Sequence, residues 1–342
     1  MRIEPFELAL DAPLETASGR IDAREGFLAF VEHAGTEGVG EATPLPGWTE
    51  SIDECRRAIE RAATVADELD WGIALARMDA PAARHGLSLA LADARASAAD
   101  QPLYRSLGAP YTVRRVPVNA TIGDGSVAET EAAAERALAA GYGCCKVKVG
   151  ARDLSTDVDR LRAARAAVGD RVQLRADANG SWDRETAASA MDRLADLDVS
   201  YVEQPLGADD LEGLAALRNG EVGVAVDETL IDHDLEAVLG ADAADVVVCK
   251  PMVLGGPDRA ATVAARAREA GVEPIVSTTI DGVVARTAAV HVAATVPEVG
   301  YCGLATGALL AEDLGRDPVP IEDGAVAVPQ DKGLGLAERP GS

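Results

Sequence analysis

Two periodicities divide the chain. Through about the first forty residues apolar and polar positions alternate, most clearly at Phe27-Leu28-Ala29-Phe30-Val31 before His33-Ala34-Gly35, a pattern of antiparallel strands joined by turns. Over 51–69 and 88–99 the apolar residues recur every three or four positions, and Ser51 with Glu54 offers a capping box, so both stretches are expected as helices. From residue 116 onward short apolar runs alternate with helical patterning. The strand-like runs are 116–121, 144–149, 172–177, 199–203, 222–227, 245–250, 272–277 and 299–302. Helical patterns follow at 126–140, 154–168, 184–197, 209–218, 232–239, 258–270 and 282–294, and 306–314 continues the eighth unit. Eight such repeats predict a (β/α)8 barrel of TIM type rather than an open sheet.

The segments around the barrel are less regular. The loop Glu41-Ala42-Thr43-Pro44-Leu45-Pro46-Gly47-Trp48-Thr49-Glu50-Ser51 holds two prolines and a glycine. These prevent regular structure and place Leu45 and Trp48 in an ordered loop, either a cover lining a substrate pocket or a plain strand-to-helix connection. Gln101-Pro102-Leu103-Tyr104 and Gly108-Ala109-Pro110 suit a domain boundary. The division expected is 1–112, 113–314 and 315–342, with the strand-like 318–321 and 325–328 rejoining the N-terminal sheet.

Charge narrows the partners. With 57 acidic against 32 basic side chains, the net charge of −25 repels nucleic acid and anionic membrane surfaces, leaving a small-molecule substrate and room for a homo-oligomer. Only four of the basic residues are lysines: Lys146, Lys148, Lys250 and Lys332. An acidic surface almost free of lysine is that expected of a high-salt cytoplasm, where counterions screen self-repulsion; full stability in salt-free buffer would contradict that expectation. The five cysteines show no zinc or disulfide spacing, and the N-terminus lacks a basic stretch followed by an apolar one, so a cytoplasmic location is expected.

Where the apolar runs end, the chemistry begins. Asp177, Glu203 and Asp227 close three successive runs at intervals of 26 and 24, and Lys250 closes the next, 23 residues later. Each interval is about one strand plus one helix, and in a barrel such residues stand together at the C-terminal mouth. One carboxylate alone is better read as a helix N-cap or surface group. Three in register make a hard oxygen site suited to Mg²⁺, or to Mn²⁺ as the alternative, with about three octahedral positions left for water and substrate. Lys146 and Lys148, two apart on one strand, both face into the barrel, and Lys250 lies four strands away on the opposite side. A substrate carboxylate on the metal would have its α-carbon flanked by amines, which suits proton abstraction with the metal stabilising the enediolate. The metal and the second lysine are expected to lower the Lys148 pKa so that it acts as the base. His33, His85, His233 and His291 fall outside this constellation.

Lys146-Val147-Lys148, Asp177-Ala178-Asn179, Glu203-Gln204-Pro205, Val226-Asp227-Glu228 and Lys250-Pro251 resemble, in order and spacing, the motifs of the muconate lactonizing subgroup of the enolase superfamily. The resemblance implies a modified barrel with an α+β capping domain built from both chain ends. It also implies Mg²⁺ at Asp177, Glu203 and Asp227, acid/base lysines at Lys148 and Lys250, and Asn179 and Glu228 supporting the metal ligands. Islands at 23–26, 41–47 and 302–310 look like the o-succinylbenzoate synthases of menaquinone biosynthesis. That family dehydrates 2-succinyl-6-hydroxy-2,4-cyclohexadiene-1-carboxylate to 2-succinylbenzoate, which implies that Lys148 removes the α-proton and then assists syn departure of the hydroxyl, with enediolate stabilisation by Lys250. Ser277, Thr278, Gly303, Leu304 and Thr306 are candidate substrate contacts, although Ser277-Thr278-Thr279-Ile280-Asp281 departs from the serine-rich pattern of many relatives. Residues 303–307 lack the Asp-x-Asp of dipeptide epimerases. N-succinylamino acid racemization and muconate cycloisomerization share the framework. A Schiff-base lyase using either lysine and a non-catalytic acidic binding protein are the readings of other classes.

Overall fold

The computed structural model describes residues 1–16, 19–218, 220–338 and 340. The chain opens with an antiparallel sheet of β1 (Arg2–Thr16), β2 (Gly19–His33) and β3 (Thr36–Ala42), where Ala34 and Gly35 turn the second hairpin at positive φ. Three helices follow: α1 (Ile52–Glu68), α2 (Trp71–Ala76) and α3 (Pro81–Ala98). Ser51 Oγ accepts from Glu54 N and caps α1, but the Glu54 carboxylate turns to Arg61 instead of completing the box. The short α2 has no counterpart in the expected pattern, since six residues are too few to show a period. α3 lies directly on β3. A Cβ at Gly40 would stand 1.9 Å from the Gly86 carbonyl oxygen and one at Gly38 2.1 Å from that of Ala90, so only glycine permits this approach.

After α4 (Leu103–Ser106) comes β4 (Arg115–Pro117) and then the barrel. Its first half runs β5 (Ala120–Ile122), α5 (Val127–Ala139), β6 (Cys144–Lys148), α6 (Leu154–Val168), β7 (Gln173–Asp177), α7 (Arg184–Ala195), β8 (Val199–Glu203) and α8 (Leu211–Leu217). Next come β9 (Gly223–Val226), α9 (Thr229–Asp232), α10 (Leu235–Gly240), β10 (Val246–Cys249), α11 (Pro251–Leu254), α12 (Pro257–Glu269), β11 (Glu273–Val276) and α13 (Val283–Ala293). β5 to β11 form one parallel sheet in chain order. The result is a modified (β/α)8-type barrel with an N-terminal α+β cap.

The departures from the expected pattern have local causes. The run 116–121 is divided between two sheets. Pro117 has no N–H to donate, and the chain changes partner there, with β4 pairing outside the barrel and β5 inside. The eighth strand expected at 299–302 is reduced to Cys302 and Gly303, in a run flanked by glycines at 300 and 303. Those two residues still close the ring, because Cys302 bonds Pro117 O and Asn119 N while Gly303 N bonds Val276 O. The helix expected over 306–314 is a single 3₁₀ turn at Gly307–Leu309, after which Leu310 bridges to Leu10. Finally, β12 (Ile321–Glu322) pairs with β13 (Ala325–Ala327), and β13 pairs with β4 rather than with the N-terminal sheet. The tail meets the cap further on, where Leu334 N donates to Asp93 Oδ1 on α3 at 2.8 Å.

Helix α13 is buried on every side, between the barrel and the cap, as its almost wholly apolar sequence requires. Its His291 stacks on Tyr104, accepts from Tyr104 N at Nδ1 and faces Leu334 O through Nε2, both at 3.2 Å. Burial pushes this imidazole down to about 4 from 6.5. The unfolded chain therefore binds the proton first, and the stability His291 contributes is present above pH 6.5 and lost as pH falls towards 4. A loss on the order of 3 kcal/mol is expected across that window. Denaturant titrations in a pH series should show a shallower slope for His291→Gln than for the unsubstituted chain. Among the described residues no helix is long and apolar enough to cross a membrane.

Candidate active site

Parallel register brings the charged strand ends together. Lys148 pairs in the ladder with Asp177, and Asp177 with Glu203, so the last residues of β6, β7 and β8 are level. Glu203 pairs with Ala225, which sets Asp227 two residues beyond it on the next strand. All three carboxylates are buried, with at most 3% exposed. Lys146 Nζ reaches Asp177 Oδ2 at 2.9 Å and Glu203 Oε1 at 2.8 Å. Lys148 Nζ donates to the same Asp177 oxygen at 2.7 Å and to Asn179 Oδ1 at 2.8 Å. Across the mouth Lys250 Nζ donates to Asp227 Oδ2 at 2.6 Å and lies 3.7 Å from the centroid of the Trp48 ring. The cap loop thus brings Trp48 onto the second lysine, and Leu45 O accepts from Trp48 N and Thr49 N to turn that loop.

Burial and these ammonium groups set the protonation of the row. Burial raises the Asp177 pKa, but Lys146 and Lys148 together hold it well below the usual carboxylate range. Glu203 is pushed up to about 7 by burial and by the charge of Asp177. Asp227 is also raised, chiefly by burial, with Lys250 opposing. Burial alone lowers Lys146, and the flanking Asp177 and Glu203 more than reverse it, keeping Lys146 well above its ordinary value. Lys146 is therefore a fixed positive charge wedged between two carboxylates.

The supporting residues tie neighbouring strand ends together. Asn179, at φ 45°, donates from Nδ2 to Glu228 Oε1 at 2.9 Å and joins the ends of β7 and β9. Gln204, fully buried at φ 42°, accepts from Asp227 N and Thr229 N through Oε1 and donates to Leu206 O and Thr229 Oγ1 through Nε2. The sequence reading placed Gln204 in a motif without seeing this cross-strand bolt. On the far wall Ser277 Oγ donates to Gly303 O at 3.1 Å and Thr278 Oγ1 lies 2.7 Å from Thr306 Oγ1, with Leu304 buried beside them. This wall is neutral. Two further residues lie in the islands at 23–26 and 41–47, where the sequence reading assigned them no role of their own. Arg24 donates to Thr43 O, Pro44 O and Ile280 O, tying the cap loop to the loop after β11. Glu41 accepts from Gly282 N and Ala285 N at the start of α13.

Among the described residues no three His, Cys, Asp or Glu side chains form a ready metal cage. The carboxylate oxygens are instead turned onto the lysines. The donor set nonetheless fits a hard dication. It is all oxygen and buried on adjacent strand ends, and Glu228 Oε2 beside it is a buried acceptor without a partner. Asp177, Glu203, Asp227 and Glu228 give four carboxyl groups against the three lysines.

A family model described as "Enolase C-terminal domain-like" matches residues 129–340, and one described as "MenC, N-terminal domain" matches residues 2–94. The chain is 29% identical to an L-Ala-D/L-Glu epimerase of Bacillus subtilis over 98% of its own length and 96% of that protein's. It is 30% identical to a chloromuconate cycloisomerase of Cupriavidus necator over 95% and 92%. With an o-succinylbenzoate synthase of Thermobifida fusca it shares 39% identity, over 65% and 69%. Among solved structures it superposes on the substrate-liganded B. subtilis epimerase with a TM-score of 0.89, 28% identity and 98% coverage of each chain. It superposes on a dipeptide epimerase of Enterococcus faecalis, complexed with Mg and the dipeptide L-Leu-L-Tyr, with a TM-score of 0.88, 26% identity and 98% coverage of each.

Proposed function

We propose a reaction from one premise: the chain belongs to the enolase superfamily, in the branch of muconate-lactonizing enzymes, epimerases and o-succinylbenzoate synthases. It is an enzyme of that superfamily's metal-dependent chemistry, in which a proton is abstracted next to a carboxylate and an enolate forms. We assign Mg²⁺ to Asp177, Glu203 and Asp227, an ion present in the related E. faecalis epimerase structure. Bound there, it would offset the negative charge that builds on the substrate carboxylate as the proton leaves.

The chain's own residues do the rest. The reading rests on one observation: Lys148 and Lys250 flank the carboxylate row from opposite sides, each ammonium within 2.7 Å of a buried carboxylate oxygen. Lys148 removes the α-proton from one face. Lys250 either supplies a proton to the other face or, remaining charged, stabilises the enolate from it. Lys146 stays protonated between Asp177 and Glu203 and balances their charge. Trp48 covers the Lys250 side, where its ring excludes water from the ammonium.

Isomerisation is the finer reading that relatives matched along nearly the whole chain support. The neutral wall at 303–306 offers no carboxylate to an ammonium, so the fitting substrate is one without an ammonium group, such as an N-succinylamino acid or a muconate, and not a dipeptide amine. Dehydration to 2-succinylbenzoate is the second reading. It is favoured by the match of residues 2–94 to the MenC N-terminal domain and by the 39% identity to a synthase. Purified protein with Mg²⁺ should be given an N-succinylamino acid, cis,cis-muconate and the cyclohexadiene carboxylate in parallel, with and without chelator. Chelator-sensitive racemization or lactonization supports the first reading, and loss of cyclohexadiene absorbance the second. Turnover of any of them that survives chelation would overturn both.

A further inference from the structure

Sequence periodicity makes α6 an ordinary outer helix, yet its barrel side carries two charged residues among Val158, Leu161, Ala164 and Val168. Asp157 is 1% and Arg160 0% exposed. They pair at 2.8 Å one turn apart. Burying an ion pair is costly, and apolar residues of similar volume would hold the helix at least as well. What the pair gains is backbone. Arg160 Nη1 donates to Lys148 O at 2.7 Å, Nη2 to Gly123 O, and Nε to Thr130 Oγ1 on α5 at 3.1 Å. Asp157 Oδ2 accepts from Gly150 N at 2.7 Å.

The ends of β5 and β6 are thus gripped from outside the barrel. Lys148 is the last residue of β6, and Gly150 turns the chain away at φ 90°. A Cβ there would meet Ser181 Oγ at 1.9 Å, so this turn has a single close-fitting path. Lys148 itself is 35% exposed at its side chain, and among the described residues Asp177 and Asn179 hold its ammonium. A long flexible side chain inherits its placement from its Cα, and a displacement of about 1 Å at a reacting group can cost about 100-fold in rate.

We infer that Arg160, aligned by Asp157, is a positioning residue for Lys148 and for the proton transfer on its face of the substrate alone. The inference rests on the two-lysine reading above. Lys250 follows β10, across the barrel, and among the described residues the Arg160 and Asp157 side-chain bonds stay on α5, α6 and the ends of β5 and β6.

The test is α-proton exchange of each enantiomer of an N-succinylamino acid in D₂O, the Lys148 face being identified as the one whose exchange Lys148→Ala removes. Arg160→Lys is expected to slow exchange on that face at least about tenfold and to leave the Lys250 face within about twofold, with KM unchanged. Asp157→Asn, which keeps the shape and weakens the hold on Gly150 N, carries the same expectation if Arg160→Lys does not fold. A variant that slows both faces alike, or neither, overturns the inference. Absence of exchange by the unsubstituted enzyme sinks the racemase reading and not the clamp. The clamp is then tested on dehydration, where a loss of kcat of about tenfold or more at constant KM is expected and an unchanged kcat overturns it.

Discussion

Lys148→Ala is expected to lower turnover by about 10³-fold, the scale of a general base, while the protein stays folded. The ion pairs explain why folding should survive. Asp177, the carboxylate that Lys148 holds, keeps Lys146 at 2.9 Å, so no buried charge is orphaned. Lys250→Ala should cost a similar factor in turnover but behave differently as a protein. Asp227 is 3% exposed, and Lys250 is its only described ion-pair partner. Leaving it alone should destabilise the apo form by about 3 kcal/mol, with Mg²⁺ restoring much of that by supplying the missing positive charge. Steady-state kinetics and thermal unfolding with Mg²⁺ or chelator separate the two cases. Near-normal turnover by either variant refutes that lysine's role, and equal metal response of both melting curves refutes the asymmetry.

The site was legible in the sequence to the extent that parallel strands are regular. Each strand ends in line with its neighbours, so a charged residue closing each apolar run is brought to the mouth without any further information. That is why Lys146, Lys148, Asp177, Glu203, Asp227 and Lys250 are found together. What the periodicity missed is what depends on distant backbone. Arg24 bonds carbonyls at 43, 44 and 280, and Glu41 caps a helix 241 residues away, relations with no spacing to read. Asp157 and Arg160 did leave a signal, two charges beside Val158 and Leu161 on the buried face of α6. The failures in the fold lie where a run is too short or its donors are missing, as at Pro117 and at the two-residue closing segment of Cys302 and Gly303. The tail strands carried a correct alternation but no information about which sheet edge was free, and β4 took them.

Lys146→Met should unmask the charge the row is built to hold. Glu203 has Lys146 as its only described ion-pair partner, and burial with Asp177 already raises Glu203 to about 7. A carboxyl raised in the folded state favours folding below its unfolded pKa near 4.5, and that benefit is lost as pH rises through 7. Removing the ammonium raises Glu203 further and deepens the loss on the alkaline side. At pH 8 the variant must either bury an uncompensated carboxylate or bind a proton against the pH, and a destabilisation of about 3 kcal/mol is expected. At pH 5 the carboxyl is protonated at little cost and the deficit should shrink. Mg²⁺ at Asp177, Glu203 and Asp227 would offset the lost charge, so saturating metal should narrow the gap at pH 8 and do little at pH 5, where protons compete for the same oxygens. Urea unfolding at the two pH values, each with Mg²⁺ and with chelator, reads all four conditions. A deficit independent of both pH and metal would mean that Lys146 acts by packing alone, and that the three carboxylates do not form the site assigned to them.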